Sequence, residues 1–261
     1  NAHMNLEFYT SAAGYFTEGT LDEAAFKINR VRLEILGSFS KDFSWHFRQS
    51  FNKYSNPHAL DNLSSSIEYA YVNWKPSDKF NLTIGKQFVA MGGYEYHLNS
   101  NKVREFSDFN EYVAAYQAGL SAAFNFSPTQ ELVLQVTNFR SGEDEDMYVY
   151  GRPAEIAKAK VPVITTLNWN GLFADKALQF RYAASWGQQA EGRNILYLTA
   201  ANVYEKGPVI AYLDVMYSRQ GLDTHCIISD MQGPIVENPV TAQHTEYLSF
   251  IADFDYRFHP H

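Results

Sequence analysis

The stretch Tyr116-Gln-Ala-Gly-Leu-Ser-Ala-Ala-Phe-Asn-Phe126 alternates between apolar residues and small or polar ones along most of its length. Period two is the mark of a β-strand with one apolar face, because successive strand side chains point to opposite faces of a sheet. The same period runs through 248–258, 31–35 and 178–186. Together with weaker versions elsewhere, these segments predict about twelve strands. The weaker segments lie near 1–10, 43–54, 66–75, 80–90, 132–139, 161–173, 195–204 and 209–219.

The connections between these segments alternate in length along the chain. Such alternation places every tight turn at one end of an up-and-down sheet. It is typical of a transmembrane β-barrel, in which short turns face the periplasm and long loops face outside. We therefore predict an all-β fold, a transmembrane antiparallel up-and-down β-barrel. The short connections lie at 40–42, 76–79, 127–130, 174–176 and 205–208, and the long ones near 12–25, 55–66, 91–113, 140–160, 187–194 and 220–245.

Composition narrows the class of protein further. Aromatic residues make up 16% of the 261 residues, and the mean hydropathy is negative. No stretch approaches the roughly 20 apolar residues that a membrane helix needs. A polar average with many aromatic residues suits a barrel in outer-membrane lipid, since only every second residue faces that lipid. The net charge of −8 argues against a nucleic-acid partner, and the single cysteine, Cys226, excludes an internal disulfide.

Aromatic side chains gather beside the short connections. Phe39, Phe43 and Trp45 flank the first, and Trp74 and Phe80 flank the second. Aromatic residues are enriched at lipid–water interfaces, so this repetition predicts an aromatic girdle at one end of the barrel. For any single residue, an ordinary place in a packed core is an equal alternative.

Two regions of the chain carry a family resemblance. In residues 26–37 (FKINRVRLEILG) basic and aliphatic side chains alternate before a glycine and a tight turn. Residues 67–76 (IEYAYVNWKP) and 80–88 (FNLTIGKQF) form a hairpin with a Pro turn and a Gly-Lys pair. These patterns resemble the porin O/P family of phosphate-selective outer-membrane porins.

That resemblance implies a porin in the outer membrane of a Gram-negative bacterium. It would assemble as a homotrimer of barrels with about sixteen strands each, and small polar or anionic solutes would diffuse passively through the lumen. The preference for anions would be weak. The third long loop would fold inward.

Residues 1–261 are expected to form a single barrel domain that is incomplete at both ends. Residues 1–9 already alternate as a strand, and the chain stops near what should be another tight turn at 257–261. The sequence would then hold about twelve of roughly sixteen strands. A closed barrel of twelve strands is the alternative, because even strand numbers are allowed.

Strand parity assigns the polar wall of the lumen. If Val31, Leu33 and Ile35 face lipid, their charged neighbours face inward, because a charge on the lipid face near the midplane costs roughly 2–4 kcal/mol. The arginines on this wall either form a path for anions or belong to a salt-bridge network that braces the wall. The predicted lumen-wall residues are Arg30, Arg32, Glu34, His46, Arg48 and Arg181.

The third long loop, residues 91–113, is the predicted constriction of the channel. Gly92 and Gly93 allow a sharp turn at the top of a strand. A narrow throat that carries both charges sorts solutes by size and electric field. The alternative is a loop that packs on the outer rim. The predicted constriction residues are Lys102, Arg104, Glu105, Asp108 and Glu111.

Signatures of catalysis are absent from the sequence. There is no G-x-S-x-G, H-E-x-x-H, P-loop or dinucleotide-binding motif. The acidic run 143–146 is either a solvated loop tip or a site for a hard cation, and His259 and His261 are interpreted as a solvated chain end. We therefore expect a porin that is not an enzyme and has no cofactor or metal. The alternatives are an outer-membrane barrel enzyme and a plugged structural or adhesive barrel.

Overall fold

A computed structural model describes residues 1–52, 60–98, 103, 106–142, 147–148, 150–232 and 240–258. These residues form a set of long β-strands with little helix. No helix among them is long and apolar enough to cross a membrane. The strands are β1 (Ala2–Thr17), β2 (Thr20–Ser38), β3 (Phe43–Ser50), β4 (Ile67–Ser77), β5 (Phe80–Phe88), β6 (Tyr116–Ser127), β7 (Gln130–Asn138), β8 (Val163–Phe173), β9 (Leu178–Ala190), β10 (Arg193–Lys206), β11 (Val209–Leu222) and β12 (Gln243–Tyr256). The helices are a 3-10 turn (Glu95–His97), α1 (Asp108–Glu111) and α2 (Ile227–Gln232).

The strands make one antiparallel sheet in which each strand pairs with its neighbours in the chain. The part of the chain that the structure describes contains twelve strands in up-and-down order, in agreement with the prediction of about twelve. β1 and β12 are the two edges, and no ladder joins them in the described part of the chain. The sheet is therefore open, and the alternative of a closed twelve-strand barrel is not what the structure shows.

All five predicted short connections lie at one end of the sheet. They join β2 to β3, β4 to β5, β6 to β7, β8 to β9 and β10 to β11. In a sheet without crossovers, every second connection falls at the same end. We call this end the short-turn end and the opposite end the loop end.

Two of the predicted long connections are wrong. β1 and β2 continue through 12–25 and meet in a tight turn at Glu18 and Gly19, and β9 meets β10 at Glu191 and Gly192. Glu18 and Gly19 both have positive φ, of 50° and 83°, as in the primed turns that match the twist of a hairpin. Polar residues that are typical of turns occur within 12–25 and 187–194, so the sequence predicts loops there although the strands continue.

The outward face of the sheet is apolar, as predicted for a surface in lipid. On β12, Leu248, Phe250, Phe254 and Tyr256 are all exposed on one face. Near the short-turn end, outward rings contact one another across strands, with centroids 6.2 Å apart for Phe43 and Trp74, 6.2 Å for Trp74 and Phe80, and 5.2 Å for Phe80 and Phe124. These contacts form the predicted aromatic girdle.

Candidate channel constriction

The connection between β5 and β6 crosses the lumen to the opposite side of the sheet. We call residues 89–115 the inward loop. The backbone N–H groups of Tyr94 and Glu95 donate to the same carboxylate oxygen of Asp214 in β11, at 2.7 and 2.9 Å. Thr199 in β10 donates its hydroxyl to the carbonyl of Met91. The loop is therefore held by a wall that is distant from β5 and β6 in the sheet.

Two glycines permit this close approach. Gly92 and Gly93 have positive φ of 73° and 77°, a region that favours glycine. A Cβ at Gly92 would collide with the hydroxyl of Thr199, and one at Gly93 would lie 2.6 Å from the Cε of Met216. The predicted turn is present, and it also brings the backbone against the inner face of β10 and β11. We call this face, with Thr199, Asp214 and Met216, the anchor wall.

An apolar core joins the inward loop to the anchor wall. Phe109 of α1 packs on the ring of Tyr197 at a centroid distance of 5.4 Å, and the side chain of Met216 is 1% exposed. Burial of this apolar area stabilises the docked loop. The buried members of the cluster are Val89, Met91, Tyr96, Phe109, Phe139, Ile164, Ile195, Tyr197 and Met216.

Hydrogen bonds within the inward loop shape its descent into the lumen. The carboxylate of Glu95 accepts bonds from the backbone N–H of Ser107, from the Ser107 hydroxyl at 2.6 Å and from the Asn110 amide. Glu95 is buried and makes these bonds with residues beyond the 3-10 turn. It therefore ties the two limbs of the loop together.

A network of charged side chains lines the inner face of β1 to β4. Arg48 forms an ion pair with Glu68, with its Nε 2.7 Å from the carboxylate, and Arg32 contacts the same carboxylate at 3.3 Å. Glu7 binds Arg30 at 2.8 Å and Arg32 at 3.2 Å. We call Arg30, Arg32 and Arg48, with Glu7, Glu34 and Glu68, the arginine cluster. The expected salt-bridge network is thus present, with glutamates as its acidic members.

Aromatic rings support the arginine cluster. The guanidinium of Arg48 lies 4.1 Å from the ring centroid of Tyr69, and it donates to the Tyr116 hydroxyl at 2.6 Å. His46 contacts Glu34 through Nε2 at 2.8 Å and the Tyr71 hydroxyl through Nδ1 at 3.1 Å. These contacts fix the orientation of the charged groups along the wall.

A cavity of about 530 Å³ separates the arginine cluster from the inward loop. The strand side contributes the three arginines, and the loop side contributes Tyr96, His97 and Asn110. The cavity is bounded by a polar strand wall on one side and by a loop that is fixed from behind on the other.

The structure brings together five of the six predicted lumen-wall residues, those on β2 and β3. Arg181 lies elsewhere, on β9. Ala201 of β10 pairs with Arg181 on one side and with Asp214 on the other, so Arg181 belongs with the anchor wall.

The predicted constriction residues have mixed outcomes. Asp108 and Glu111 lie on α1, where both are exposed, and neither lines the cavity. Lys102, Arg104 and Glu105 fall outside the described residues, as do the acidic run 143–146 and His259 and His261.

A buried histidine links the inward loop to the connection between β11 and β12. The ring of His225 packs on Phe109 and Tyr112 of the loop, at centroid distances of 5.8 and 5.6 Å, and on Tyr247 of β12 at 5.0 Å. Burial lowers the pKa of His225 to about 4, although the carboxylates of Asp223 and Asp108 oppose the shift. His225 is therefore neutral at pH 7.

Sequence reasoning missed several of these groups. Glu68 lies at a register shift between β3 and β4, so alternation along β4 assigns it to the wrong face. The parity of β11 places Asp214 on the inner face, but its bonds to the inward loop join residues 119 and 120 positions apart. Simple alternation carries no signal for either contact.

Comparison with known proteins agrees with this geometry. The family model for phosphate-selective porins O and P matches residues 7–261. The chain belongs to this family. The porin therefore lies in the outer membrane of a Gram-negative bacterium, with its short-turn end toward the periplasm. Comparison with curated proteins gives no match.

Solved structures similar to this porin include an outer membrane channel and an outer membrane protein. The outer membrane channel DcaP of Acinetobacter baumannii has a TM-score of 0.60 at 12% identity, over 99% of this chain and 75% of that one. OmpT of Vibrio cholerae, as a mutant lacking loop L8, has a TM-score of 0.43 at 9% identity, over 99% and 89%. OccK1 (OpdK) of Pseudomonas aeruginosa has a TM-score of 0.38 at 12% identity, over 97% and 62%. The likeness to DcaP shows the fold.

Proposed function

We propose that small polar solutes and ions diffuse passively through the gap between the inward loop and the arginine cluster. The observation that carries this proposal is the attachment of the loop to Asp214. Two backbone bonds fix the loop on the far wall, and a polar cavity remains on the near side. A loop fixed in this way narrows a lumen without filling it.

We propose a weak preference for anions. In the ion pairs that the structure describes, the three arginines of the cluster face three glutamates, so the wall has little net charge. Fixed charges of both signs orient solutes, while a strong field that concentrates anions needs an excess of one sign. Lys102 and Arg104 are proposed to add a small basic excess at the constriction.

Single-channel recording tests this function. The whole porin is reconstituted in a planar lipid bilayer, and current steps are recorded in symmetric KCl and then in a KCl gradient. An open channel gives discrete steps, and a weak anion preference gives a small reversal potential of the anionic sign. A plugged structural barrel gives no steps, and that result contradicts the proposal.

We further propose that the porin is a homotrimer and has no catalytic activity. The family resemblance supports the trimer, and the cavity between charged pairs and a docked loop supports a channel. Light scattering of the purified porin in mild detergent measures the number of copies, independently of conductance. Release of product from lipid or peptide substrates by the purified porin would contradict the absence of catalysis.

A further inference from the structure

A groove of about 320 Å³ opens on the outward face of the sheet near its loop end. We call it the rim groove. Its lining comes from β9, β10, β11 and β12, and the first three of these strands are each paired on both sides. The groove is therefore formed within the sheet and does not depend on a strand that lacks a neighbour. Its lining includes Trp186, Arg193, Leu196, Arg219, Gly221 and His244.

The rim groove lies where the apolar surface for lipid chains ends. On the outward face of β11, exposed Leu213 is followed toward the loop end by Arg219, and on β12 exposed Leu248 is followed by Glu246. Arg219 and Glu246 lie about ten residues from the short-turn end, the length that a tilted strand needs to cross a bilayer. Trp186 is exposed at a similar height on β9, and tryptophan favours the lipid–water interface. Since the short-turn end faces the periplasm, the groove lies beside the head groups of the outer leaflet.

A register shift and a glycine bring Arg193 into the rim groove. The ladder between β9 and β10 shifts at Arg193, so alternation along β10 does not predict the position of this side chain. A Cβ at Gly221 would lie 2.9 Å from the Cβ of Arg193, which shows that Arg193 packs directly over the bare backbone of β11. Its guanidinium then donates to the side-chain oxygen of Gln243 on β12, from Nε at 3.2 Å and from Nη2 at 2.7 Å. Arg193 is thus held in place across β11.

The charge of Arg193 is not balanced by these contacts. Its acceptors are neutral, namely the amide oxygen of Gln243 and the carbonyl of Gly192 at 3.2 Å. A guanidinium has five N–H donors, so donors remain for a further acceptor. The ion pairs within the described ranges do not include Arg193. Its side chain is therefore fixed in orientation and still carries a free positive charge.

Arg219 adds a second charge of the same sign. It is exposed, and it too forms none of the ion pairs described in the chain. Glu246 is its cross-strand neighbour, but the carboxylate of Glu246 interacts with the hydroxyl of Tyr217. His244 is exposed as well and supplies a ring nitrogen. Two arginines beside one glutamate leave the groove with an excess of positive charge and of hydrogen-bond donors.

The arginines on the two faces of the sheet differ in this respect. In the lumen, the arginine cluster is paired with glutamates of the same chain, for example Arg48 with Glu68. On the outward face, Arg193 and Arg219 have no such partner among the residues described. An arginine beside lipid is in a medium of low dielectric, where an unpaired charge strongly favours a nearby anion. The anion for the rim groove must therefore come from outside the chain.

We propose that the rim groove binds a phosphate-bearing head group of an outer-leaflet lipid. In a Gram-negative outer membrane, the lipids of this leaflet carry phosphate groups on a sugar head, with acyl chains beneath. Arginine suits phosphate because its planar fork donates two parallel N–H bonds. The acyl chains then lie on the apolar surface below the groove, where Leu198 and Leu213 are exposed. Solutes in the lumen do not reach this site, since the sheet lies between them.

Binding of lipid A by the whole porin tests the site. The porin is mixed in mild detergent with doubly phosphorylated lipid A, and native mass spectrometry measures the bound fraction. Arg219→Gln should weaken binding about fivefold, and Arg193→Gln with Arg219→Gln about thirtyfold. The matched control is Lys79→Gln with Lys206→Gln, which removes the same charge from exposed positions at the short-turn end and should bind as wild type. Equal weakening in the two double variants overturns the proposal.

Folding of each variant is checked by circular dichroism in the same detergent. Arg219 is exposed and outside the described ion pairs, so Arg219→Gln keeps the test valid if the double variant does not fold. Unchanged binding of lipid A by folded Arg219→Gln then overturns the proposal.

Two further ligands separate the chemistry that the groove recognises. Dephosphorylated lipid A should bind wild type no better than the double arginine variant binds the phosphorylated form. Inorganic phosphate at the concentration of lipid A should not displace it, because the acyl chains also contribute. Equal binding of both forms of lipid A, or displacement by inorganic phosphate, overturns the assignment to a lipid phosphate. Lipid binding is measured without conductance, so its failure leaves the proposed channel function untouched.

Discussion

The arginine cluster and the anchor wall face each other across the lumen, and they use polar side chains for different purposes. Arg32 and Arg48 share Glu68 with one another, and the cavity opens beside them. Asp214 is fully buried and directs its carboxylate at the backbone of the inward loop. In the proposed channel, the arginine cluster sets the electric field that a solute meets, and the anchor wall sets the width of the passage. Conductance and ion preference should respond to separate substitutions.

The largest effect is expected from Asp214→Ala. Loss of the carboxylate leaves two backbone N–H groups without their acceptor, at a cost of roughly 1–3 kcal/mol each. The inward loop should then leave the anchor wall, and single-channel conductance should rise several-fold in planar bilayers while the reversal potential changes little. Asp253→Ala on β12 removes the same charge from an exposed position and should conduct as wild type. Equal conductance in both variants would show that Asp214 does not hold the loop.

A smaller effect of opposite sign is expected from the two members of one ion pair. Glu68→Gln leaves an excess of arginine and should shift the reversal potential toward anions, and Arg48→Gln should shift it toward cations. One unit charge at 4 Å in water is worth about 1 kcal/mol, or about a fivefold change in permeability ratio. Conductance should change less than in Asp214→Ala. Shifts of the same sign in both variants would contradict a wall governed by its net charge.

Neutralising Lys102 and Arg104 together should shift the reversal potential toward cations by less, about twofold in permeability ratio if the two charges are water-screened. Both residues are basic and follow the paired glycines in the third long connection, and this prediction rests on the sequence. Thermal stability should stay near that of wild type, because loop residues on a rigid scaffold carry function more than fold. If conductance and reversal potential are both unchanged, ion preference is set by the arginine cluster alone.

Lowering the pH is expected to have the smallest effect on the current and a measurable effect on thermal stability. The pKa of His225 is lowered from 6.5 to about 4 by burial, so the folded porin favours the neutral ring. The contribution of the neutral ring to the free energy of unfolding is complete above pH 6.5. It is lost as the pH falls from 6.5 through 4, with an upper limit of about 3 kcal/mol. Thermal unfolding at pH 7 and pH 4.5 should show a larger loss for wild type than for His225→Leu. Equal losses would place the acid-sensitive group elsewhere.

The sheet could be predicted from the sequence because its signals are local. Alternation over a single strand and turn residues between strands fix the strand number, the order and the end at which the tight turns lie. The errors at 12–25 and 187–194 arise where strands continue through residues such as Gly14, Gly187 and Gln188, which weaken the apolar alternation. The length of a connection therefore predicts the topology less reliably than its odd or even place in the chain order, which fixes the end of the sheet at which it lies.

The constriction could be predicted only in outline. The order of the loops and the glycine pair identify the segment that folds inward, and parity places Arg30, Arg32 and Arg48 on the lumen face. The partners of these groups depend on contacts between distant strands and on a register shift that places Glu68 inside. Neither the contacts between distant strands nor the register shift can be inferred from the side-chain alternation of a single strand.

The order of the strands has a consequence for how the channel is assembled. Every ladder in the sheet joins neighbours in the chain, so each pairing closes a short loop and needs little search. The bonds that anchor the inward loop differ, since those to Asp214 span 120 and 119 residues and the bond from Thr199 to Met91 spans 108. The inward loop has no anchor until β10 and β11 are in place. If the inward loop is the proposed constriction, we expect the passage to form wide and to become narrow as one of the last steps of folding.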